Sequence, residues 1–165
     1  MRSNLAVLGF MAACVAAVPA AAQQPNVARG KYLSVIAGCN DCHTAGSFFG
    51  KRDVGRTLAG SEVAFEIPGM GAFVGPNLTP DKETGLGNWS VDQIVTALRT
   101  GKRPDGRELA PIMPWRDLAN LSDGDARSIA LYLRNLPAIA NKVPGPFGPG
   151  EKVTTFTMKI SPPEK

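Results

Sequence analysis

The chain has 165 residues and a formal net charge of +4 at pH 7, with 44% hydrophobic and 7% aromatic residues. This length accommodates one domain and not two once an N-terminal leader is set aside. The small positive charge gives no case for nucleic-acid binding, since nucleic-acid-binding domains carry a clustered excess of Lys and Arg.

Residues 1–22 are predicted to be a secretory signal peptide. A short basic start is followed by an alanine-rich apolar stretch over Leu5 to Val18, and Ala20-Ala21-Ala22 ends in an A-x-A cleavage site. The apolar stretch is too short and too rich in alanine for a good membrane span. The Met-Ala-Ala-Cys run ending at Cys14 is a poor match to a lipoprotein box, so we expect Cys14 to leave with the peptide. The mature chain is expected in the periplasm, without an integral membrane span.

A first helix is predicted over Val27 to about Gly38, with Asn26 as its N-cap. This helix carries the next motif at its C-terminal end. Its expected apolar face consists of Tyr32, Leu33, Ile36 and Ala37.

The run Cys39-Asn40-Asp41-Cys42-His43 has the C-x-x-C-H pattern that is typical of c-type haem attachment, and His43 is the only histidine in the chain. Two thiols at this spacing on one helical turn can each form a thioether to a haem vinyl group. The adjacent imidazole then serves as a neutral nitrogen ligand of the iron.

Three other interpretations of this motif compete with haem attachment. A zinc site needs a fourth ligand, and no second Cys-x-x-Cys or His-x-x-His pair follows in the sequence. A thioredoxin-like pair requires a βαβ setting, whereas this sequence alternates short helices with Gly- and Pro-rich loops. A Cys39–Cys42 disulfide leaves His43 unexplained. The haem interpretation is therefore favoured over all three.

Two further helices follow. Ser90 to Gln93 forms a capping box, and that helix is expected to stop at Gly101. Ser122 opens a last helix, which ends before Pro137. Between the helices, residues 44–88 and 102–117 are dense in Gly and Pro and are expected to be irregular loops that wrap a large group.

The second axial ligand of the iron must be a methionine, a lysine, a terminal amine or nothing, because His43 is the sole histidine. Met113 is favoured, since the prolines of Pro111-Ile112-Met113-Pro114-Trp115 fix the backbone around it and little entropy is lost on coordination. Met70, flanked by glycines, is the second candidate, and Met158, in the C-terminal tail, is the third.

The chain resembles class I c-type cytochromes in its order of motifs. The run Gly75 to Gly87, the Met113-Pro114-Trp115 loop and the stretch Leu121 to Pro137 are similar to the cytochrome subunits of bacterial periplasmic alcohol, aldehyde and gluconate dehydrogenases. The resemblance covers residues 28–137. Those subunits typically carry three haem domains, whereas this chain has one haem motif.

The resemblance implies an all-α class I cytochrome c fold, with short helices and long loops around one covalently bound haem c. It places the cytochrome domain at residues 23–137 and leaves residues 138–165 as an extended tail rich in Pro and Gly. Gly30 and Tyr132 match the small and aromatic residues at which the terminal helices of that fold cross.

The same resemblance assigns roles within the site. Cys39 and Cys42 would form the thioethers, His43 would be the proximal ligand and Met113 the distal ligand. The backbone carbonyl of Pro76 would accept a hydrogen bond from the His43 ring Nδ1–H and fix its orientation.

These features predict a periplasmic monohaem cytochrome that transfers single electrons from a dehydrogenase to an oxidase or another cytochrome, and not an enzyme. One alternative is a fixed electron-relay subunit of a dehydrogenase complex. The other is a haem enzyme or gas-binding protein with an open sixth position.

Overall fold

The computed structural model describes residues 24–159, 161 and 163. The predicted signal peptide, with Cys14, lies outside the described residues. The helices are α1 Val27–Ile36, α2 Cys39–His43, α3 Val91–Thr100, α4 Trp115–Leu118 and α5 Asp123–Arg134. The strands are β1 Val63–Ile67, β2 Gly71–Val74 and β3 Phe156–Lys159, and two 3₁₀ turns span Ser47–Phe49 and Val54–Arg56.

The three long helices form where the sequence predicts them, and each begins at a side-chain cap. The Asn26 side chain accepts a hydrogen bond from Arg29 N at 2.8 Å at the start of α1. Ser90 and Gln93 exchange the two hydrogen bonds of a capping box at the start of α3. The Ser122 hydroxyl caps α5 by accepting a hydrogen bond from Asp125 N at 3.1 Å. These caps satisfy backbone donors that have no partner within the helix.

Helices α1 and α5 cross in direct backbone contact at Gly30. A Cβ atom at this position would overlap the carbonyl oxygen of Ser128 and would lie 2.8 Å from Cβ of Tyr132. Only glycine lets the two helices approach this closely. The helix crossing therefore involves the two residues that the resemblance indicates.

The buried face of α1 differs from the predicted one. Its buried residues are Gly30, Leu33 and Ser34. The prediction was wrong for Tyr32, Ile36 and Ala37, which are exposed. Because the absent side chain of Gly30 brings the α1 backbone onto α5, the contact stripe is centred on small residues. The Ser34 hydroxyl tolerates burial by donating to the Gly30 carbonyl at 2.8 Å.

The core lies between α1, α3, α5 and the loop that contains Leu58. Met113 and Cys39 pack against it from outside, both partly buried. The buried members of this core cluster are Leu33, Leu58, Ile94, Val95, Leu98, Ala126, Ile129, Ala130 and Leu133.

Two strands of a three-stranded sheet, β1 and β2, lie within residues 44–88, which were expected to be an irregular loop. β1 pairs antiparallel with β2 and parallel with β3, in the order β2-β1-β3. The prediction of an all-α fold is therefore wrong for this part of the molecule. Its β1–β2 hairpin turns through Gly69, whose φ of 74° suits glycine. The third strand comes from a distant segment, so no local pattern announces the sheet.

The segment after Pro137 is extended, as expected, but it packs along the domain. Ala72 and Phe147 exchange two backbone hydrogen bonds of 2.9 Å, and Thr155 donates its hydroxyl proton to the carbonyl of Glu62. We call residues 138–159 the C-terminal strap. The division into a cytochrome domain over residues 23–137 and an extended tail over residues 138–165 stays a prediction. Within the described residues, no helix is long and apolar enough to cross a membrane.

Candidate haem site

The Cys-x-x-Cys-His segment forms the single helical turn α2. It begins after Gly38, whose φ of 68° turns the chain sharply out of α1. Residues three apart on a helix share one face, so the thiols of Cys39 and Cys42 lie side by side. Both are free and partly buried. The turn thus presents two neighbouring thiols at the surface of the core.

The electrostatics of the two thiols disfavour a reactive thiolate. Burial raises the pKa of Cys39 to about 11. Burial, and then the negative charge of Asp41, also raises the pKa of Cys42. A thioredoxin-like pair needs the opposite shift, because the attacking group must be a thiolate near neutral pH. The raised pKa values of the two thiols therefore argue against a thioredoxin-like pair. In the part of the chain that the structure describes, no group of three or more His, Cys, Asp or Glu could hold a metal ion.

His43 is buried, and its ring orientation is fixed by one hydrogen bond. Its Nδ1 lies 2.8 Å from the carbonyl oxygen of Pro76. A carbonyl oxygen only accepts, so Nδ1 carries the proton in this contact. Burial lowers the pKa of His43, and the Pro76 contact opposes this shift only in part. The imidazole is therefore neutral, and Nε2 holds a lone pair that can bind a metal.

Two loops hold the backbone around His43. The His43 carbonyl accepts a hydrogen bond from Gly60 N at 2.9 Å, and the Gly75 carbonyl accepts one from Ser61 N at 3.0 Å. A Cβ atom on Gly75 would overlap the carbonyl oxygen of Cys42 and would lie 3.4 Å from His43 Nδ1. The absence of a side chain at Gly75 is what allows the Pro76 carbonyl to reach the ring.

A buried polar network that no sequence pattern predicts follows Pro76. The Oδ1 atom of Asn77 accepts hydrogen bonds from N and Oγ1 of Thr79, at 2.9 and 2.7 Å. Its Nδ2 donates to the carbonyl of Ile139 at 2.7 Å. Asn77 is 1% exposed, so these bonds replace water completely. The run Gly75 to Gly87, which carries part of the resemblance, contains Asn77, but no sequence pattern indicates its partner in the strap.

The three methionines that are candidates for the distal ligand lie in different environments. Met113 is partly buried and packs against the same core cluster as Cys39. Its loop is held by hydrogen bonds from Met113 N to the Ala110 carbonyl and from Trp115 N to the Met113 carbonyl. Met70 and Met158 are 45% and 47% exposed, the first in the β1–β2 turn and the second on β3. Met113 is thus the methionine that shares the core with the haem motif.

These residues fit a covalently attached haem. Two adjacent thiols, a neutral imidazole and a thioether form the donor set of a c-type haem. The space that Gly75 leaves open lets the histidine keep its orientation. The indole N–H of Trp115, two residues beyond Met113, is a buried donor without a hydrogen-bond partner among the described residues.

Comparisons with known proteins point to the same class. The chain is 38% identical over 135 residues to the fructose dehydrogenase cytochrome subunit of Gluconobacter japonicus, a match that covers 78% of this chain and 26% of that protein. It is 35% identical over 143 residues to the cytochrome c subunit of the quinone-type alcohol dehydrogenase of Gluconobacter oxydans, covering 84% of this chain and 28% of that subunit.

A third relative is the gluconate 2-dehydrogenase cytochrome c subunit of Pantoea cypripedii, 32% identical over 132 residues, which covers 80% of this chain and 28% of that subunit. No protein-family model matches the chain. The chain spans only 26% to 28% of the length of these three relatives. The relationship implies a cytochrome fold and a covalently bound haem c with its iron. The sequence identity to these relatives shows that this chain is a homologue of the cytochrome c subunits of bacterial dehydrogenases.

Proposed function

We propose that this chain is a monohaem c-type cytochrome that transfers single electrons and performs no bond chemistry. The observation that carries this proposal is the position of the buried His43 ring, whose Nδ1 lies 2.8 Å from the Pro76 carbonyl oxygen, beside two free thiols. When bound, haem iron supplies the one-electron redox couple. The protein's own residues attach the group, orient its histidine ligand and exclude water from it.

In this proposal Cys39 and Cys42 hold the haem through thioethers, and His43 binds the iron through Nε2. Met113 supplies the distal ligand, because it is the methionine that packs on the core. A thioether favours reduced iron and raises the reduction potential relative to a second histidine. This choice of ligands suits a carrier that accepts electrons from a dehydrogenase.

The partner is inferred from the names of the relatives, and the location from the predicted signal peptide over residues 1–22. All three relatives described above are named as cytochrome subunits of sugar-, alcohol- or gluconate-oxidising dehydrogenases. We infer that a dehydrogenase donates electrons to this chain and that an oxidase or another cytochrome accepts them, in the periplasm after removal of residues 1–22. A fixed relay subunit is the competing arrangement. Co-purification of a dehydrogenase with the chain from periplasmic extract distinguishes the two.

Haem attachment is tested with variants of the motif. We expect Cys39→Ala or Cys42→Ala to leave a single thioether and to shift the pyridine haemochrome spectrum. We expect His43→Ala to yield no stable low-spin holo-protein, since the sequence holds no other imidazole. Normal low-spin holo-protein from His43→Ala contradicts the assignment.

The distal ligand is tested with Met113. We expect Met113→His to lower the reduction potential, because imidazole stabilises ferric iron more than a thioether does. Met113→Ala should open the sixth position to carbon monoxide, which is read from the visible spectrum. Met70→Ala is the matched control and should leave the spectrum unchanged. If Met70→Ala instead opens the site and Met113→Ala does not, the distal assignment is wrong although the haem assignment survives.

A further inference from the structure

The C-terminal strap contacts both loops that surround His43. These loops are residues 58–61, which accompany the His43 backbone, and residues 75–84, which contain Pro76. The strap reaches them through Ile139 and Asn141.

The first tie joins the strap to the loop over residues 58–61. Asn141 Nδ2 donates to the carbonyl of Ala59 at 2.7 Å. The next residue, Gly60, donates its N–H to the His43 carbonyl at 2.9 Å. A Cβ on Gly60 would overlap Val143 of the strap and would lie 3.2 Å from Asn141 Nδ2. The Ala59 carbonyl and the Gly60 N–H belong to one peptide group, so a single peptide group links the strap's hydrogen bond to the backbone of the histidine.

The same loop contains a strained residue that must be held in place. Leu58 is fully buried with a φ of 59°, a left-handed conformation that a leucine seldom adopts. Its N–H donates to Thr44 Oγ1 at 2.9 Å, and its carbonyl accepts from Leu78 N at 2.8 Å. Such a conformation persists only where the surroundings hold it on several sides. The contact between Asn141 and Ala59 adds a further constraint, next to the strained residue.

The second tie joins the strap to the Pro76 loop. The Ile139 carbonyl accepts from Asn77 Nδ2 at 2.7 Å, and Asn77 follows Pro76 directly. The backbone N–H of Asn141 donates to Thr84 Oγ1 at 2.9 Å, and Thr84 Oγ1 also accepts from Asn77 Nδ2 at 3.1 Å. The carbonyl that orients His43 is therefore held from the strap side by a buried polar network.

We propose that Asn141 is a positioning residue for the proximal ligand. Its hydrogen bonds to the Ala59 carbonyl and to Thr84 Oγ1 hold the strap against the two loops. One of these loops makes the Gly60–His43 contact and the other makes the Pro76–His43 contact. The proposal rests on the proposed function, in which His43 binds haem iron. The hydrogen bond at Nδ1 makes a histidine ligand more basic and fixes its orientation. Firm positioning of the loops preserves this hydrogen bond and favours ferric iron. Loose positioning weakens the bond and raises the reduction potential.

The test compares Asn141→Ala with Asn135→Ala in holo-protein. Asn135 is exposed, and its amide donates to a backbone carbonyl within its own helix, that of Leu131, at 2.9 Å. The first readout is the solvent exchange of the His43 Nδ1 proton, followed by NMR. The second is the reduction potential from a spectroelectrochemical titration. Neither readout depends on a partner or on turnover.

We expect Asn141→Ala to accelerate Nδ1 proton exchange by roughly tenfold, the change that loss of one partly buried hydrogen bond produces in a local opening equilibrium. Its reduction potential should rise, while Asn135→Ala changes neither readout. Holo-protein whose exchange rate and potential are the same in all three forms overturns the proposal, even if Asn141→Ala lowers the melting temperature.

A second variant decides the matter if Asn141→Ala does not accumulate. Thr84→Val keeps the side-chain volume and removes the hydroxyl that accepts from Asn141 N and Asn77 Nδ2 and donates to Asp81 Oδ1. It should shift both readouts in the same direction. If it leaves both unchanged, the proposal fails. Failure of the proposed function looks different: the parent chain then carries no covalent haem in a pyridine haemochrome assay, whatever residue occupies position 141.

Discussion

The glycine that lets the Pro76 carbonyl reach the haem motif provides the sharpest test of the proximal geometry. Gly75→Ala adds a single methyl group that would overlap the carbonyl oxygen of Cys42. That oxygen belongs to the backbone of α2 and cannot rotate away as a flexible side chain would. We therefore expect residues 75–77 to move outward by on the order of 1 Å to restore ordinary packing.

The cost has two parts. Overpacking of a well-packed site costs about 1–3 kcal/mol. A shift of this size also stretches the 2.8 Å contact between His43 Nδ1 and Pro76 O towards or beyond the usual limit. Loss of that hydrogen bond costs about 1 kcal/mol more. The free energy of unfolding should fall by ~2–4 kcal/mol in total, or about 8–16 °C in melting temperature at ~4 °C per kcal/mol.

The assay is thermal unfolding of holo-protein followed by circular dichroism, together with the reduction potential. Gly55→Ala is the matched control, because Gly55 is exposed and its added Cβ would meet only Asp53 Oδ1, at 3.4 Å. We expect Gly75→Ala to destabilise the protein and raise its potential, and Gly55→Ala to do neither. A Gly75→Ala protein as stable as the control, with an unchanged potential, refutes the close approach of the two segments.

Two further predictions concern the helix pair α1–α5. Gly30→Ala should lower the free energy of unfolding by up to ~2 kcal/mol, since overlap with the Ser128 carbonyl costs about 1–3 kcal/mol against a gain of ~1 kcal/mol in helix propensity. Ala28→Gly, at an exposed position, should cost only that propensity. A stabilised Gly30→Ala protein would show that the crossing is loose. The Arg29 side chain, through its hydrogen bond, lowers the pKa of Asp125. The stabilisation from this pair is therefore full above the unfolded pKa of about 3.9 and lost as the pH falls through the lower folded value. Asp125→Asn should accordingly be less stable than the parent at pH 7. The difference in stability should shrink in acid unfolding curves measured below about pH 4. A difference that is constant with pH contradicts this ion-pair assignment.

The helices could be predicted because their signals are local. A cap at Asn26, a capping box from Ser90 to Gln93 and a cap at Ser122 each lie within one turn of the helix that they start. The face of α1 was predicted wrongly for a local reason as well. Apolar periodicity identifies the most hydrophobic stripe, whereas Gly30 makes the closest contact because it has no side chain. Hydrophobicity alone does not register this kind of contact.

The sheet and the strap could not be predicted in this way. β1 takes its parallel partner from β3, so that Val63 pairs with Phe156, and the intervening chain contains three helices. The signal in the strap is mainly its density of Pro and Gly, which indicates extended chain but not where the chain lies. Its position depends on single hydrogen bonds, such as the one from Asn141 to Ala59. Pairings of this kind depend on the folded arrangement and leave no periodic trace.

The candidate site also has a part that the sequence predicts and a part that it does not. The first acts through side chains and the second through backbone atoms. The residues that would touch haem carry their chemistry in their side chains, so the motif around His43 identifies them. The groups that orient His43 are backbone atoms, the carbonyl of Pro76 and the N–H of Gly60. Nearly every residue type supplies such atoms, so their use is visible in the sequence only where a side chain would interfere, as at Gly75. Changes in residues that position these backbone groups should therefore tune the reduction potential while the haem stays attached, whereas changes in the motif itself should remove the haem or its ligation.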